Sequence, residues 1–114
     1  MKLLYIAGPY RGDSASKIDD NIHRAREVAK LVWEQGDCAI CPHLNTAHMD
    51  GLVPDKQFLN GDLEILRRCD GIVMMDNWDR SEGAKRELRV ARRRKIPVYW
   101  QRHTYIYTSE EKWW

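Results

Sequence analysis

Glu87 is the residue whose type and position most need a chemical explanation. At about 100° per residue, the segment from Ser81 onward places Glu87 on the same narrow arc as Ala84, Leu88 and Ala91. The rest of this helical surface is basic, with Lys85, Arg86, Arg89, Arg92 and Arg93. Because that basic surface must face solvent, Glu87 is predicted to face the core. A carboxylate in such a place is costly unless it has partners or a functional role.

Asp62 repeats this pattern one helix earlier. Leu59, Leu63 and Leu66 form an apolar stripe, and Asp62 falls within it, three residues after Leu59 and four before Leu66. A single inward carboxylate is usually a helix cap or half of a buried salt bridge, and that interpretation stays open for each acid alone. Two such acids on consecutive helices require a fold that brings them together.

The composition is that of one ordinary globular domain. The 114 residues, 43% apolar and 32% charged, are enough for a single core, which we expect over residues 2–100, with an amphipathic or irregular tail over 101–114. A net charge of +2 is too small to argue for a nucleic-acid polymer as partner, so the basic run 92–95 is interpreted as a solvated helix end. The sequence contains neither a long apolar stretch nor a signal peptide, so we expect no membrane partner and a cytoplasmic location.

The three cysteines are an odd number, which argues against a disulfide framework. Cys38 and Cys41 form a C-x-x-C pair near His43 and His48, so a zinc site has to be considered. However, the pair lies in a predicted strand, where residues three apart point to opposite faces, and no second cysteine pair follows. We therefore expect buried structural thiols and no metal site.

Apolar periodicity and turn residues divide the chain into alternating strands and helices. Strands are predicted over residues 2–7, 38–41, 71–75 and 96–100. Helices are predicted from Asp19 or Asp20 to Gly36, around the leucine stripe, and over 81–94. In the first helix, the side chains predicted to face the core are those of Ile22, Ala25, Ala29, Val32 and Trp33. Loops are expected over 10–17, 42–54 and 77–80.

This alternation predicts a small α/β domain with a doubly wound parallel sheet and helices on both faces, a flavodoxin-like or Rossmann-like three-layer sandwich. In such sheets ligands bind beyond the carboxyl ends of the strands. Asp62 and Glu87 each lie within about two turns of a helix start at that edge. Both are therefore expected to face one crevice, onto which loops 8–17, 42–54 and 77–81 open.

Two segments at this crevice have the features of an anion site. Gly8 and Gly12 let a ligand approach the backbone, and Arg11 between them can fork onto an anion. Ser81 is expected to cap the basic helix with Gly83 in its first turn, where free amides favour an anion, although a simple capped helix has the same sequence. Neither a G-x-G-x-x-G fingerprint nor a P-loop is present, which disfavours nicotinamide and ATP chemistry.

Five motifs, spread over residues 3 to about 99, carry a resemblance to a known family. They are Tyr5-Ile6-Ala7-Gly8-Pro9-Tyr10-Arg11-Gly12, Pro42-His43, Asn60-Gly61-Asp62-Leu63, Cys69-Asp70-Gly71-Ile72-Val73 and Ser81-x-Gly83-x-x-x-Glu87. In their order and spacing the chain resembles the nucleoside 2-deoxyribosyltransferase superfamily, which includes the 2′-deoxynucleoside 5′-phosphate N-hydrolases and short phage and bacterial proteins.

The resemblance implies cleavage of the N-glycosidic bond of a nucleoside or nucleotide, without metal or cofactor. It makes Glu87 the nucleophile that attacks the anomeric carbon and Asp62 the general acid or a group that positions the base. Tyr5 would lie under the ribose and orient Glu87.

The same resemblance implies the substrate contacts, which are Gly8, Tyr10, Arg11, Gly12, His43, Ser81, Gly83 and Trp78. His43 could recognise the base or be structural, and Trp78 could stack on a base or lie in a dimer contact. The family's transferases usually carry an acid at position 81, whereas its nucleotide hydrolases carry a hydroxyl, so Ser81 and Arg11 favour a nucleoside 5′-monophosphate with water as acceptor.

Several alternatives stay open at this point. The chain could be a nucleoside 2-deoxyribosyltransferase that exchanges bases, a nucleotide-binding module without catalysis, or a protein in which Glu87 and Asp62 are structural. Family members usually form dimers, and the tryptophans, including Trp113 and Trp114, are consistent with a homo-oligomer.

Overall fold

A five-stranded sheet forms the centre of the computed structural model, which describes residues 1–108. The strands are β1 (Leu3–Ala7), β2 (Cys38–Ile40), β3 (Gly71–Met74), β4 (Val98–Arg102) and β5 (Tyr105–Thr108), in the order β2-β1-β3-β4-β5. The first four strands are parallel, and β5 pairs antiparallel with β4. The predicted α/β fold with a doubly wound parallel sheet is confirmed, and β5 adds an antiparallel strand at its edge.

Four α-helices connect or flank these strands within the described residues. They are α1 (Ala15–Glu34), α2 (Pro42–Asn45), α3 (Asp55–Arg67) and α4 (Glu82–Arg93), and a 3₁₀ turn spans Trp78–Arg80. α1 covers one face of the sheet, while α3 and α4 cover the other. None of the helices within residues 1–108 has the length and apolar character that a membrane crossing requires.

Strand periodicity divides the core between the two faces. In β1, Leu4 and Ile6 point toward α1, whereas Tyr5 and Ala7 point toward α3 and α4. The α1 side is completed by Ala25, Val28, Ala29, Val32, Cys41, Val73 and Met75, and the α3/α4 side by Leu66, Cys69, Ile72, Met74, Ala84, Leu88, Ala91 and Val98. Tyr5 therefore carries its hydroxyl into the layer that holds α3 and α4.

The start of α1 differs from the prediction. Ser14 is the N-cap, and its Oγ accepts from the Lys17 amide at 3.2 Å, so the helix begins before Asp19. Serine caps because its hydroxyl satisfies an amide that the first turn leaves free. The prediction that Trp33 faces inward is also wrong, since its side chain is 54% exposed and lies beyond the edge of the buried stripe.

Two other segments have more structure than the sequence pattern indicates. The predicted loop 42–54 contains the short helix α2, which starts at Pro42, where proline's missing amide is tolerated. At the other end, β4 extends to Arg102, and a turn at His103 with φ of 56° leads into β5, so residues 105–108 of the expected amphipathic or irregular tail form a strand. Trp113 and Trp114 lie outside the described residues.

Candidate active site

A cavity of about 490 Å³ lies near the carboxyl ends of the strands, on the side of the sheet covered by α3 and α4. Its walls come from β1 and the loop that follows it, from α2 and residues 46–55, and from α3 and the first turns of α4. Nine of the predicted site residues line it: Tyr5, Gly8, Tyr10, Arg11, His43, Asp62, Ser81, Gly83 and Glu87. The fold thus brings both inward carboxylates to one place.

Glu87 is partly buried and bonded to a tyrosine. The hydroxyl of Tyr5, a residue with no exposed surface, donates a hydrogen bond to Oε2 of Glu87. Burial raises the pKa of Glu87 to about 7; the charge of Asp62 adds to this, while the Tyr5 hydrogen bond and Arg86 oppose it. Burial, followed by the charge of Glu87, also raises the pKa of Tyr5 well above its usual value, so the hydroxyl stays a proton donor.

Asp62 projects from α3 into the same cavity. Burial raises the pKa of its carboxyl to about 6. Within residues 1–108, Asp62 accepts no hydrogen bond and neither Asp62 nor Glu87 forms an ion pair, so the two acids are not halves of buried salt bridges. Near neutral pH, each carboxyl can therefore take up or release a proton.

His43 holds the loop that follows β1. Its Nε2 lies 2.7 Å from the carbonyl oxygen of Pro9, and its ring meets the edge of the Tyr10 ring at 5.7 Å between centroids. Burial lowers the pKa of His43, so the ring is neutral and donates from Nε2. Nδ1 is buried without a hydrogen-bond partner in the described part of the chain. His43 lines the cavity, but the hydrogen bond that it forms is to the protein backbone.

Residues 46–55 close one side of the cavity and are tied to the β1–α1 loop. The Tyr10 hydroxyl donates to Oδ1 of Asp50 at 2.7 Å and accepts from the amide of His48 at 3.0 Å. Nε2 of His48 lies 2.8 Å from Oδ1 of Asp19, on α1. These contacts are polar and exposed, in contrast to the buried setting of Tyr5.

Among the described residues, three arginines line the cavity: Arg11, Arg80 and Arg86. Arg80 and Arg86 line it beside the N-terminus of α4, and neither forms an ion pair within residues 1–108. Ser81 caps α4 as predicted, with Oγ accepting from the Ala84 amide at 3.0 Å, which leaves its hydroxyl hydrogen available. Arg11 lines the same cavity, and its Nη2 lies 2.9 Å from Oδ2 of Asp55. The helix N-terminus and the arginines favour an anionic ligand group.

Two predicted substrate contacts lie outside the cavity lining. Gly12 packs on the first turn of α1, where an added Cβ would overlap the Cβ of Lys17. Trp78 packs against Trp100, with ring centroids 5.6 Å apart, on the α3/α4 side of the core. The absent side chain at Gly12 therefore has a packing reason, and the partly buried Trp78 packs against the core.

Several lining residues were not among the predicted site residues, namely Asp50, Asp55, Phe58, Leu59, Arg80 and Arg86. Leu59 belongs to the predicted apolar stripe but is 37% exposed, because the first turns of α3 line the cavity while Leu66 reaches the core. Asp55 follows Pro54 at a helix start, where an acid is ordinarily read as a favourable first-turn residue.

The cysteines are all free thiols. Cys41 and Cys69 are buried and Cys38 is half-buried, and burial raises the pKa of Cys41 and of Cys69 to about 11. Among the described residues, no three His, Cys, Asp or Glu side chains are grouped closely enough to hold a metal ion.

Fold and cavity together define an α/β protein with two acids and a buried tyrosine at the carboxyl edge of its sheet. The chain belongs to the family described as a domain of unknown function (DUF7768), whose model matches residues 2–101. None of the curated proteins compared with the chain matches it.

Solved structures with a similar fold include a 2-deoxyribosyltransferase from the psychrotolerant bacterium Bacillus psychrosaccharolyticus, at 18% sequence identity and a TM-score of 0.62. They also include a conserved protein from Enterococcus faecalis V583, at 23% identity and a TM-score of 0.62. Each alignment covers 86% of this chain, which spans 70% of the first protein and 61% of the second. At these identities the likeness shows the fold.

Proposed function

We propose that this protein cleaves the N-glycosidic bond of a nucleoside 5′-monophosphate, in the 2′-deoxy form that its motifs favour, with Glu87 as nucleophile and water as acceptor. The observation that carries the proposal is the joint placement of Glu87 and Asp62 in one cavity, with the Tyr5 hydroxyl bonded to Glu87. The motif resemblance to the nucleoside 2-deoxyribosyltransferase superfamily supports it, as does the fold shared with a 2-deoxyribosyltransferase.

The first step uses the two acids in opposite protonation states. Ionised Glu87 attacks the anomeric carbon while the carbon–nitrogen bond to the base breaks, and protonated Asp62 gives its proton to the leaving base. The products are a glycosyl ester on Glu87 and the free base. The hydrogen bond from Tyr5 leaves Oε1 of Glu87 without a hydrogen-bond partner among the described residues, so this oxygen is the one available for attack.

The second step returns the enzyme to its starting state. Ionised Asp62 takes a proton from water, the resulting hydroxide equivalent attacks the anomeric carbon, and the ester bond to Glu87 breaks. Deoxyribose 5-phosphate is released, Glu87 is again ionised and Asp62 again protonated. If a second base replaced water, the same intermediate would give base exchange, which is the transferase reaction.

The walls of the cavity support this ligand class. The N-terminus of α4, the Ser81 hydroxyl and the guanidinium groups of Arg80 and Arg11 favour a phosphate. Phe58 and Leu59 supply an apolar surface on α3 that suits the face of a base.

The test is a chromatographic assay for free base with ribo- and deoxyribonucleosides and their 5′-monophosphates. Wild type and Glu87→Gln are run side by side, with and without a second base. Release from monophosphates by wild type alone is the expected result. Exchange that needs an added base would assign a transferase, and no release by a folded protein would leave a nucleotide-binding module.

A further inference from the structure

We infer that Asp55 is a specificity-determining residue whose carboxylate competes with the ligand's 5′-phosphate for the guanidinium of Arg11. The inference rests on the proposed function, because it assigns the anion that Arg11 takes. Arg11 and Asp55 both line the cavity, and Nη2 of Arg11 lies 2.9 Å from Oδ2 of Asp55. A phosphate that uses the same guanidinium N–H groups has to replace that carboxylate.

The backbone around Arg11 is held independently of this ion pair. Nδ2 of Asn21 donates to the carbonyl oxygens of Tyr10 and Arg11, each at 3.1 Å. Gly12 then packs closely on the first turn of α1. Exchange of partners therefore requires only that the Arg11 side chain turns, while the loop keeps its place.

The carboxylate of Asp55 can also be stabilised without Arg11. It lies in the first turn of the 13-residue helix α3, whose N-cap, Pro54, provides no side-chain hydrogen bond. The free amides of that turn stabilise a carboxylate that has lost Arg11. Because the side chains of Arg11 and Asp55 are 69% and 60% exposed, their ion pair is weak enough for a dianionic phosphate to replace it.

The consequence is selectivity between charged and uncharged ligands. A nucleoside has no group that competes for Arg11, so the ion pair persists when it binds. A 5′-monophosphate gains an ion pair with Arg11. Part of this favourable interaction is offset, because the ion pair between Arg11 and Asp55 is broken and the nearby carboxylate of Asp55 repels the phosphate. Removing the charge of Asp55 should thus tighten monophosphate binding without changing nucleoside binding.

The experiment measures dissociation constants by calorimetry in the Glu87→Gln background, where turnover is blocked. The ligands are a 2′-deoxynucleoside 5′-monophosphate, the matching nucleoside and inorganic phosphate. Asp55→Asn should tighten monophosphate binding about fivefold at low salt, less at high salt, and leave nucleoside binding unchanged. In an Arg11→Gln background, Asp55→Asn should have almost no effect.

Asp13→Asn is the matched control. Asp13 lies two residues after Arg11 and is exposed, yet it is outside the cavity lining and forms no ion pair within residues 1–108. Equal tightening by Asp13→Asn, unchanged monophosphate binding by Asp55→Asn, or no binding of either phosphate ligand to any variant would overturn the inference. Tightening that depends on Arg11, together with no base release by the wild-type protein, would refute the proposed function and leave the role of Asp55 intact.

Discussion

Replacing Glu87 by Gln should abolish base release and at the same time stabilise the folded protein at alkaline pH. The reason is that the ionised carboxylate is held where burial disfavours it, and no ion pair within residues 1–108 compensates. Glutamine keeps the shape and can still accept the hydrogen bond from Tyr5, but it carries no charge to desolvate.

The size of this change in the free energy of unfolding follows from the shift in the pKa of Glu87. Burial raises the pKa of Glu87 from 4.5 to about 7, and each pKa unit corresponds to about 1.4 kcal/mol, so ionised Glu87 lowers the free energy of unfolding by about 3 kcal/mol. The pKa of Glu87 is higher in the folded state than in the unfolded state, so the stability that its protonated form contributes is fully present below pH 4.5. It is lost as pH rises through about 7.

Thermal unfolding followed by circular dichroism from pH 5 to pH 8.5 measures this difference. We expect the midpoints of wild type and Glu87→Gln to differ by at most about 3 °C near pH 5, and the midpoint of the variant to be higher by up to about 10 °C at pH 8.5. Glu64→Gln is the control, because Glu64 is paired with Arg67 and Arg68 on the surface and its pKa is lowered, first by its hydrogen bond from Arg68. It should give no gain at high pH.

A lower midpoint for Glu87→Gln at pH 8.5 would refute this reasoning. It would mean that the negative charge itself stabilises the fold, as in the structural interpretation of the two acids. A higher midpoint combined with lost activity is the pattern of a residue kept for chemistry at a cost in stability.

Three further predictions concern the same cavity and the glycine beside it. Activity should follow a bell-shaped pH profile with its maximum near pH 6.5, because the active form has Glu87 ionised and Asp62 protonated. Since the pKa of Glu87, about 7, lies above that of Asp62, about 6, this form is a minor species, and the rate rises near pH 6 and falls near pH 7; a flat rate between pH 5 and 8 would contradict these roles. Tyr5→Phe should raise the pKa of Glu87, since the lost hydrogen bond lowers it, and so lower the maximum of the kcat/KM profile and move its falling limb to higher pH; an unmoved limb would show that the hydroxyl does not act on Glu87. Gly8→Ala should lower the free energy of unfolding by about 1–3 kcal/mol in urea titrations, because its Cβ would overlap Met75, and an unchanged midpoint would show that the side chain of Met75 moves aside.

The sequence predicts the parts of this fold that strong periodicity dictates. Glu87 shares a helical arc with Ala84, Leu88 and Ala91, which predicts that its side chain faces the core. The alternation of strands and helices predicts that Glu87 and Asp62 both lie at the carboxyl edge of the sheet. These inferences hold because helix and strand periods depend on local geometry alone.

The remaining features depend on contacts between distant segments. The Tyr5–Glu87 hydrogen bond joins residues 82 positions apart, and the motif resemblance, rather than any local period, is what indicates it. The pairing of Arg11 with Asp55 has no sequence signal at all, since each residue alone is typical of a solvated loop or helix start. Likewise, Trp78 is placed by its packing against Trp100, a residue of β4.

The position of Tyr5 on a buried strand determines which parts of the cavity can change in sequence. Its hydroxyl is carried by β1, which lies between two strands and has no freedom to move without disturbing both layers of the core. Another wall of the cavity, residues 46–55, is held by exposed polar contacts, whose replacement costs little stability. Insertions and substitutions in that wall can therefore alter which molecules enter the cavity, while Tyr5 and Glu87 keep their alignment, so one scaffold can acquire new ligand preferences around the same pair of side chains.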